Sequence, residues 1–264
     1  MKKRGISVCF VVKNGMINGY PFWESLESCL PIADEIVISE GMSRDNTFEV
    51  LNKFKNKYGD KVNIFRTEWS KFSAYSGEVI ALVSEEAMKK CSYEWIYYLQ
   101  ADEVIHEDNV QFLKSVPTGG VGNCNSIYFK FAHLIGSWKP LPQGGAAYSE
   151  AIRMVKNIPS ITLLGDGWTF TGSTQPVFPS TTIPKPIYHL GWVFPKNIDQ
   201  KNIEQAKIYS TMKIYQDKAA SARQNVAKGY NQKLGLPIPT DFDDYPKNVK
   251  RLVGAFEYTL PEGI

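Results

Sequence analysis

An α/β fold, a mostly parallel sheet flanked by helices, is the class this sequence predicts, and three observations carry it. Short apolar runs alternate with amphipathic stretches through the first 110 residues, the pattern of repeated βα units. The run Trp95–Val104 is aromatic and aliphatic, then ends abruptly in Asp102 and Glu103. Such a run reads as a strand buried on both faces, with its acids at the carboxyl end where open α/β sheets place ligands. No segment approaches the ~18 consecutive apolar residues of a membrane span, and there are no internal repeats.

The elements follow in order. Ile6–Val12 is an apolar strand; Met1-Lys2-Lys3-Arg4 before it imitates a signal peptide, but the run stops at Lys13-Asn14-Gly15 with no cleavage-type residues behind it. Pro21–Leu30 is a helix, with Trp23, Leu26 and Leu30 at helical spacing and Pro31 ending it. Glu35–Ser39 is the second strand. Asp45 is the expected N-cap of a helix from Thr47 to Lys57, whose inner face carries Phe48, Leu51 and Phe54. Val62–Thr67 is a third strand, Ala74–Lys90 a long helix and Trp95–Leu99 the fourth strand. Asn109–Ser115 is a short helix. Ser126–Ala132, Glu150–Val155 and Ile187–Leu190 read as strands, separated by Gly- and Pro-rich loops at 137–148 and 165–186. From Ile198 to Lys228 the pattern is amphipathic and helical.

Composition narrows the function. The 264 residues are 43% hydrophobic and 22% charged, as in ordinary soluble globular proteins. A net charge of +3 without a dense Lys/Arg run argues against a nucleic-acid partner. The four cysteines, Cys9, Cys29, Cys91 and Cys124, form no C-x-x-C pair, which speaks against zinc and for a reduced, cytoplasmic setting. No G-x-G-x-x-G follows a strand, so a dinucleotide oxidoreductase has no support. Hard cations such as Mg²⁺ or Mn²⁺ take oxygen ligands and often bind through one or two carboxylates plus substrate phosphates. Asp102, beside Glu103 or Gln100, suits such an ion; a solvated acidic turn is the alternative. Of the three histidines, His106 is expected on the surface and His133 in the core.

Three segments then resemble the family 2-like glycosyltransferases with the GT-A fold, most closely those that add sugars to lipopolysaccharide core. Glu35-Ile36-Val37-Ile38-Ser39-Glu40-Gly41-Met42-Ser43-Arg44-Asp45-Asn46-Thr47 is similar to the family's strand and nucleoside-gripping loop. Glu68-Trp69-Ser70-Lys71-Phe72-Ser73-Ala74 is similar to its approach to the long helix, and Trp95–Val104 to its metal signature. The match covers roughly the first 110 residues, in the family's order and spacing. Beyond it, Glu150–Asn157 and Ile187-Tyr188-His189-Leu190-Gly191-Trp192 resemble later family segments. Two departures stand out: Gln100 replaces the leading Asp of the metal signature, and Tyr75-Ser76-Gly77-Glu78 lacks the family's basic helix start.

The resemblance implies a GT-A (Rossmann-like) domain over 1–195, with a nucleotide-sugar half (1–115) and an acceptor half (116–195). A helical extension (196–264) packs on the same domain. Implied for the nucleotide-sugar are Val11, Lys13, Asn14, Glu40, Gly41, Ser43, Gln100, Ala101 and Asp102. Implied for a divalent Mn or Mg ion are Asp102 and His189. Asp166, between Gly165 and Gly167, and Glu150 are the candidate general bases. Trp138, Trp168 and Trp192 are candidates for stacking on acceptor sugars. The expected activity is sugar transfer from a UDP-type donor to a glycan or glycolipid hydroxyl, with inversion. A non-catalytic glycan- or nucleotide-binding module is the alternative. The 196–264 segment leaves a homodimer or a peripheral membrane contact open.

Overall fold

The computed structural model describes residues 2–72, 77–135, 138, 148–172, 176–208, 244–255 and 257–264. The expected helix start at 74–76, the loop residues 139–147 and the helical stretch 209–228 lie outside the described residues. The first half holds β1 (Lys3–Val12), α1 (Phe22–Cys29), β2 (Glu35–Glu40), α2 (Thr47–Tyr58), β3 (Val62–Arg66), α3 (Glu78–Met88) and β4 (Tyr93–Gln100). After β4 come the two-residue β5 (Glu103–Val104), α4 (Val110–Ser115), β6 (Ser126–Ile135) and β7 (Glu150–Lys156). The chain continues through β8 (Thr162–Leu164), β9 (Thr169–Thr171), β10 (Val177–Phe178), β11 (Ile187–Trp192), α5 (Pro195–Ile208) and the short α6 (Lys247–Lys250).

The main sheet runs β3-β2-β1-β4-β7-β6-β11-β5, with β10 beside one end of β6, while β8 and β9 form a separate hairpin. β1 to β4 are mutually parallel. β7 enters antiparallel between β4 and β6, so the sheet is mixed and mostly parallel. Strand alternation explains how both faces are covered. Val8, Phe10 and Val12 of β1 face a cluster with Trp23 and Leu26 of α1 and Leu51 and Phe54 of α2. Cys9 and Val11 face the opposite cluster, with Ala81, Val83 and Ala87 of α3. Full burial of Trp23 or Phe54 stabilises by roughly 1.5–3 kcal/mol each. Among the described residues no helix is long and apolar enough to cross a membrane.

Some local expectations shift. Thr47 opens α2 as read, but Asn46 holds the cap position. Asp45 still serves the helix: its Oδ1 accepts from the Thr47 amide at 3.0 Å, while Oδ2 accepts from the Ile17 amide at 2.9 Å. That acid therefore also ties α2 to the loop after β1. His106 is not a surface residue. It is buried, its Nδ1 accepting from the Asp108 amide at 3.1 Å. Cys9, Cys29 and Cys91 are buried and unpaired, as small hydrophobes.

Candidate active site

Strand order reverses at β1, which has β2 on one side and β4 on the other. Such a switch point opens a crevice at the strands' carboxyl ends. Register makes the crevice specific: Val11 pairs with Ser39 and Gln100, and Val12 pairs with Glu40. The three strands thus deliver Lys13-Asn14, Gly41–Ser43 and Ala101-Asp102 to one edge.

The loops after β1 and β2 are knitted to each other. The Asn14 amide donates to Ser43 Oγ at 2.8 Å, and the Arg44 amide donates to Asn14 Oδ1 at 3.0 Å. Asn14 and Met42 both take positive φ, 52° and 55°. That conformation suits Asn but strains Met, and strain of this kind gathers at functional sites. Gly41 leaves no room for a side chain, since a Cβ there would lie 2.6 Å from Lys13 Cβ. Lys13 itself lies over the Trp69 ring, 5.2 Å from its centroid. Glu40 corrects the reading of a carboxylate offered to a nucleoside. It is fully buried, and its oxygens accept from the Ser43 amide (2.6 Å), the Met42 amide (3.2 Å) and Arg66 Nε (2.7 Å). It shapes the loop from within.

Asp102 sits in the turn between β4 and β5, and β11 pairs antiparallel with β5. The Leu190 amide donates to the Asp102 carbonyl at 2.8 Å. This pairing carries His189 across 87 residues of sequence to Asp102, with Nε2 3.5 Å from Oδ2. Its other nitrogen meets His133, Nδ1 to Nδ1 at 2.9 Å, because β6 and β11 pair at those two residues. His133 Nε2 faces the Tyr148 carbonyl at 2.7 Å, so it must carry a hydrogen. Burial pushes the His133 pKa down to about 3, and the imidazole stays neutral. His133 Nδ1 is then an acceptor, and His189 must donate from its own Nδ1. The lone pair of His189 Nε2 is left facing a carboxylate. Two acceptors so placed favour positive charge between them.

That positive charge has a second source nearby. Lys201 of α5 places Nζ 3.4 Å from Asp102 Oδ2 and donates to the Gly191 carbonyl. Burial lowers its pKa to about 8, partly offset by Asp102. Burial alone would raise the Asp102 carboxyl, but His189 and Lys201 hold it well below the usual carboxylate range. The sequence reading missed Lys201. The available signal was its place three residues after the core residue Ile198, on the inner face of an amphipathic helix.

Glu103 turns away from the crevice. It is fully buried in an ion pair with Arg153, whose Nη2 lies 2.7 Å from Oε1. Arg153 Nη1 continues to the Trp168 carbonyl at 2.6 Å, and Gln100 Nε2 reaches the Gly167 carbonyl at 3.2 Å. The loop that carries Asp166 is thereby clasped from both sides of the Asp102 turn. Glu150 instead accepts from Ser180 Oγ at 2.7 Å. Trp168 is 37% exposed. Trp192 offers a ring face to Lys201, 4.6 Å away. Trp138 is a correction: it is fully buried against Phe194 in the core and presents no face to a sugar.

For a divalent ion, Asp102 and His189 fit as two ligands, the imidazole oriented through His133. Among the described residues there is no group of three or more His, Cys, Asp or Glu side chains arranged around one ion. Substrate oxygens would have to complete the shell, as they commonly do for Mg²⁺.

No family model and no curated protein matches the sequence. The solved structures to which the chain is similar include GT-A glycosyltransferases. A 1–349 fragment of S. aureus TarS in complex with UDP aligns over 94% of this chain and 77% of that one, at 13% identity and a TM-score of 0.49. S. aureus TarS itself aligns over 94% of this chain and 50% of its own, at 14% identity and a TM-score of 0.47. Glucosyl-3-phosphoglycerate synthase from Mycobacterium tuberculosis, in complex with Mn²⁺ and UDP-glucose, aligns over 50% and 44% respectively, at 14% identity and a TM-score of 0.33. At such identities and scores the likeness assigns no role to any residue, and the architecture stands on the sheet itself: mixed, mostly parallel, with helices on both faces.

Proposed function

We propose that the chain is a glycosyltransferase that moves a sugar from a nucleoside-diphosphate donor to a hydroxyl acceptor on a glycan or glycolipid. The observation that carries this is the meeting of Asp102 and His189 at the switch-point crevice, beside two interlocked loops. A carboxylate and an imidazole lone pair sharing one cation suit a diphosphate leaving group. A second reading, a nucleotide- or glycan-binding module without activity, is favoured by Gln100, whose amide is engaged with the Gly167 carbonyl where the related family carries an acid.

In this mechanism the loops Lys13-Asn14 and Gly41–Ser43, with Val11 and Ala101 beneath them, line the nucleoside pocket. Asp102 and His189 would hold a divalent cation, and His133 fixes the imidazole's orientation. When bound, such an ion supplies positive charge to the diphosphate oxygens. Asp166 accepts the proton of the acceptor hydroxyl as its oxygen bonds to the anomeric carbon. The bond from that carbon to the diphosphate oxygen breaks on the opposite face, its electron pair leaving with the diphosphate, so configuration inverts. Trp168 offers a ring face to the acceptor, and the clasp from Arg153 and Gln100 sets where Asp166 stands.

The test is thermal stabilisation by nucleoside diphosphates in Mn²⁺, since a ligand bound only by the folded state raises stability by about 2.7 kcal/mol at a hundredfold excess over Kd. UDP is expected to raise the melting temperature of the wild type and to lose that effect in Asp102→Asn. No stabilisation by any nucleoside diphosphate would overturn the proposal. Asp166→Asn is then expected to bind donor yet lose transfer by ~10²–10⁴-fold, while Glu150→Gln stays active. Hydrolysis of a UDP-sugar by the wild type excludes the binding-module reading.

A further inference from the structure

We infer that Lys201 is a resident counter-cation for the donor's diphosphate, carried into the site by α5, so that diphosphate binding does not depend wholly on a divalent ion. The inference rests on the donor reading above and extends it to a residue from the far end of the chain.

The address of Lys201 is fixed by the rest of its helix. Asn197 Nδ2 donates to the Met16 and Ile17 carbonyls at 3.3 Å each. Glu204 accepts from Asn14 Nδ2 at 3.0 Å and from Arg44 Nη2 at 2.6 Å. About two turns of α5 are therefore pinned to both donor-side loops, with Lys201 between the pins. Its Nζ stands over the rings of Tyr20 and Trp192, at 4.3 and 4.6 Å. Gly191 clears the space: a Cβ there would collide with Asp102 Oδ2 and lie 2.8 Å from Nζ.

Charge around the crevice explains why an ammonium belongs there. Glu103 and Arg153 neutralise one another in the interior. Asp102 then faces Lys201 on one side and His189 on the other. The local sum is neutral with a neutral imidazole, and positive with a proton or metal ion on His189. A crevice of two or three acids without a lysine would repel a diphosphate until metal arrived. This one does not. Asp102 and His189 keep 12% and 15% of their side-chain surface exposed, while Lys201 behind them keeps 2%. A flexible four-carbon stem lets the ammonium turn from Asp102 to an incoming phosphate oxygen, while Asp102 turns to the cation that accompanies the donor.

Calorimetry with inorganic pyrophosphate in EDTA tests this without reference to the nucleoside or to activity. Wild type and Lys201→Arg are expected to bind pyrophosphate, and Lys201→Met to bind it at least tenfold more weakly. Equal binding by Lys201→Met overturns the inference, and so does a wild type that ignores pyrophosphate in EDTA yet binds UDP in Mn²⁺. A wild type that binds pyrophosphate but no nucleoside diphosphate, with binding lost in Lys201→Met, upholds the lysine's role and overturns the nucleotide reading. If Lys201→Met does not fold, Lys201→Gln serves in the same comparison, with its circular dichroism matched to wild type.

Discussion

At the scale of single residues, the fate of the two neighbouring acids after β4 is the most instructive contrast. Asp102 and Glu103 are equivalent in a sequence, but Asp102 lies in the turn after β4 and Glu103 in β5, and their side chains meet opposite surroundings. Asp102 stays at the crevice with 12% of its side chain exposed. Glu103 goes fully inside and meets Arg153, whose guanidinium it grips through both oxygens. Burial works against the Arg153 charge, yet Glu103 holds its pKa above the ordinary arginine value. Removing one partner of such a pair strands a charge in the interior, which costs about 3–5 kcal/mol, whereas replacing both by apolar groups is often neutral. Arg153→Met is therefore expected to lose about 3–5 kcal/mol in urea denaturation, and the double variant Glu103→Leu/Arg153→Met to recover most of it. If the single variant is as stable as wild type, the pair is not what orders this part of the interior. The same arithmetic explains why Arg153 was not singled out: nothing in the sequence says which of thirty basic residues is inside.

Whole elements show where pattern suffices and where it fails. Helices α1 and α2 were legible because their apolar residues recur at helical spacing against short apolar strands. α5 was legible as an amphipathic helix, but its inner face includes Lys201, a residue type that periodicity assigns to water. Trp138 was misread for the mirror reason: an aromatic among glycines and prolines resembles a sugar platform, and only packing against Phe194 reveals a core residue. β11 joins both lessons. His189 was legible as a strand-end histidine, yet its partner depended on β11 pairing with β5 and β6. Gly191, next but one in that strand, is required by the close approach of Asp102 and Lys201. Gly191→Ala should destabilise by about 1–3 kcal/mol, the usual cost of overpacking a filled site, measured by urea denaturation. A variant as stable as wild type would mean that α5 stands farther from β11 than the structure shows, and Lys201 with it.

Over the whole molecule, the legible part and the illegible part divide at β4. Before it, strands and helices alternate, and β1, β2 and β3 pair in parallel with their sequence neighbours, so local pattern and global topology agree. After it, β7 inserts antiparallel between β4 and β6, and β11 reaches back to β5 from more than eighty residues away. Pairings of that range leave no local signature, because the periodicity of a strand records its burial and not its neighbour. The consequence is functional: β1, β2, β4, β11 and α5 all contribute to one crevice, and no contiguous segment contains it. Hydrogen exchange with UDP and Mn²⁺ reads this directly, since a bound ligand suppresses local opening wherever it bridges elements. Slower exchange is expected together at residues 11–15, 40–46, 100–104 and 189–192, across nearly the whole chain. Protection confined to 11–46 would leave a nucleoside pocket with no diphosphate site behind it. Protection that includes 189–192 in wild type but not in Asp102→Asn would tie β11 to the ligand through the one carboxylate the two halves share.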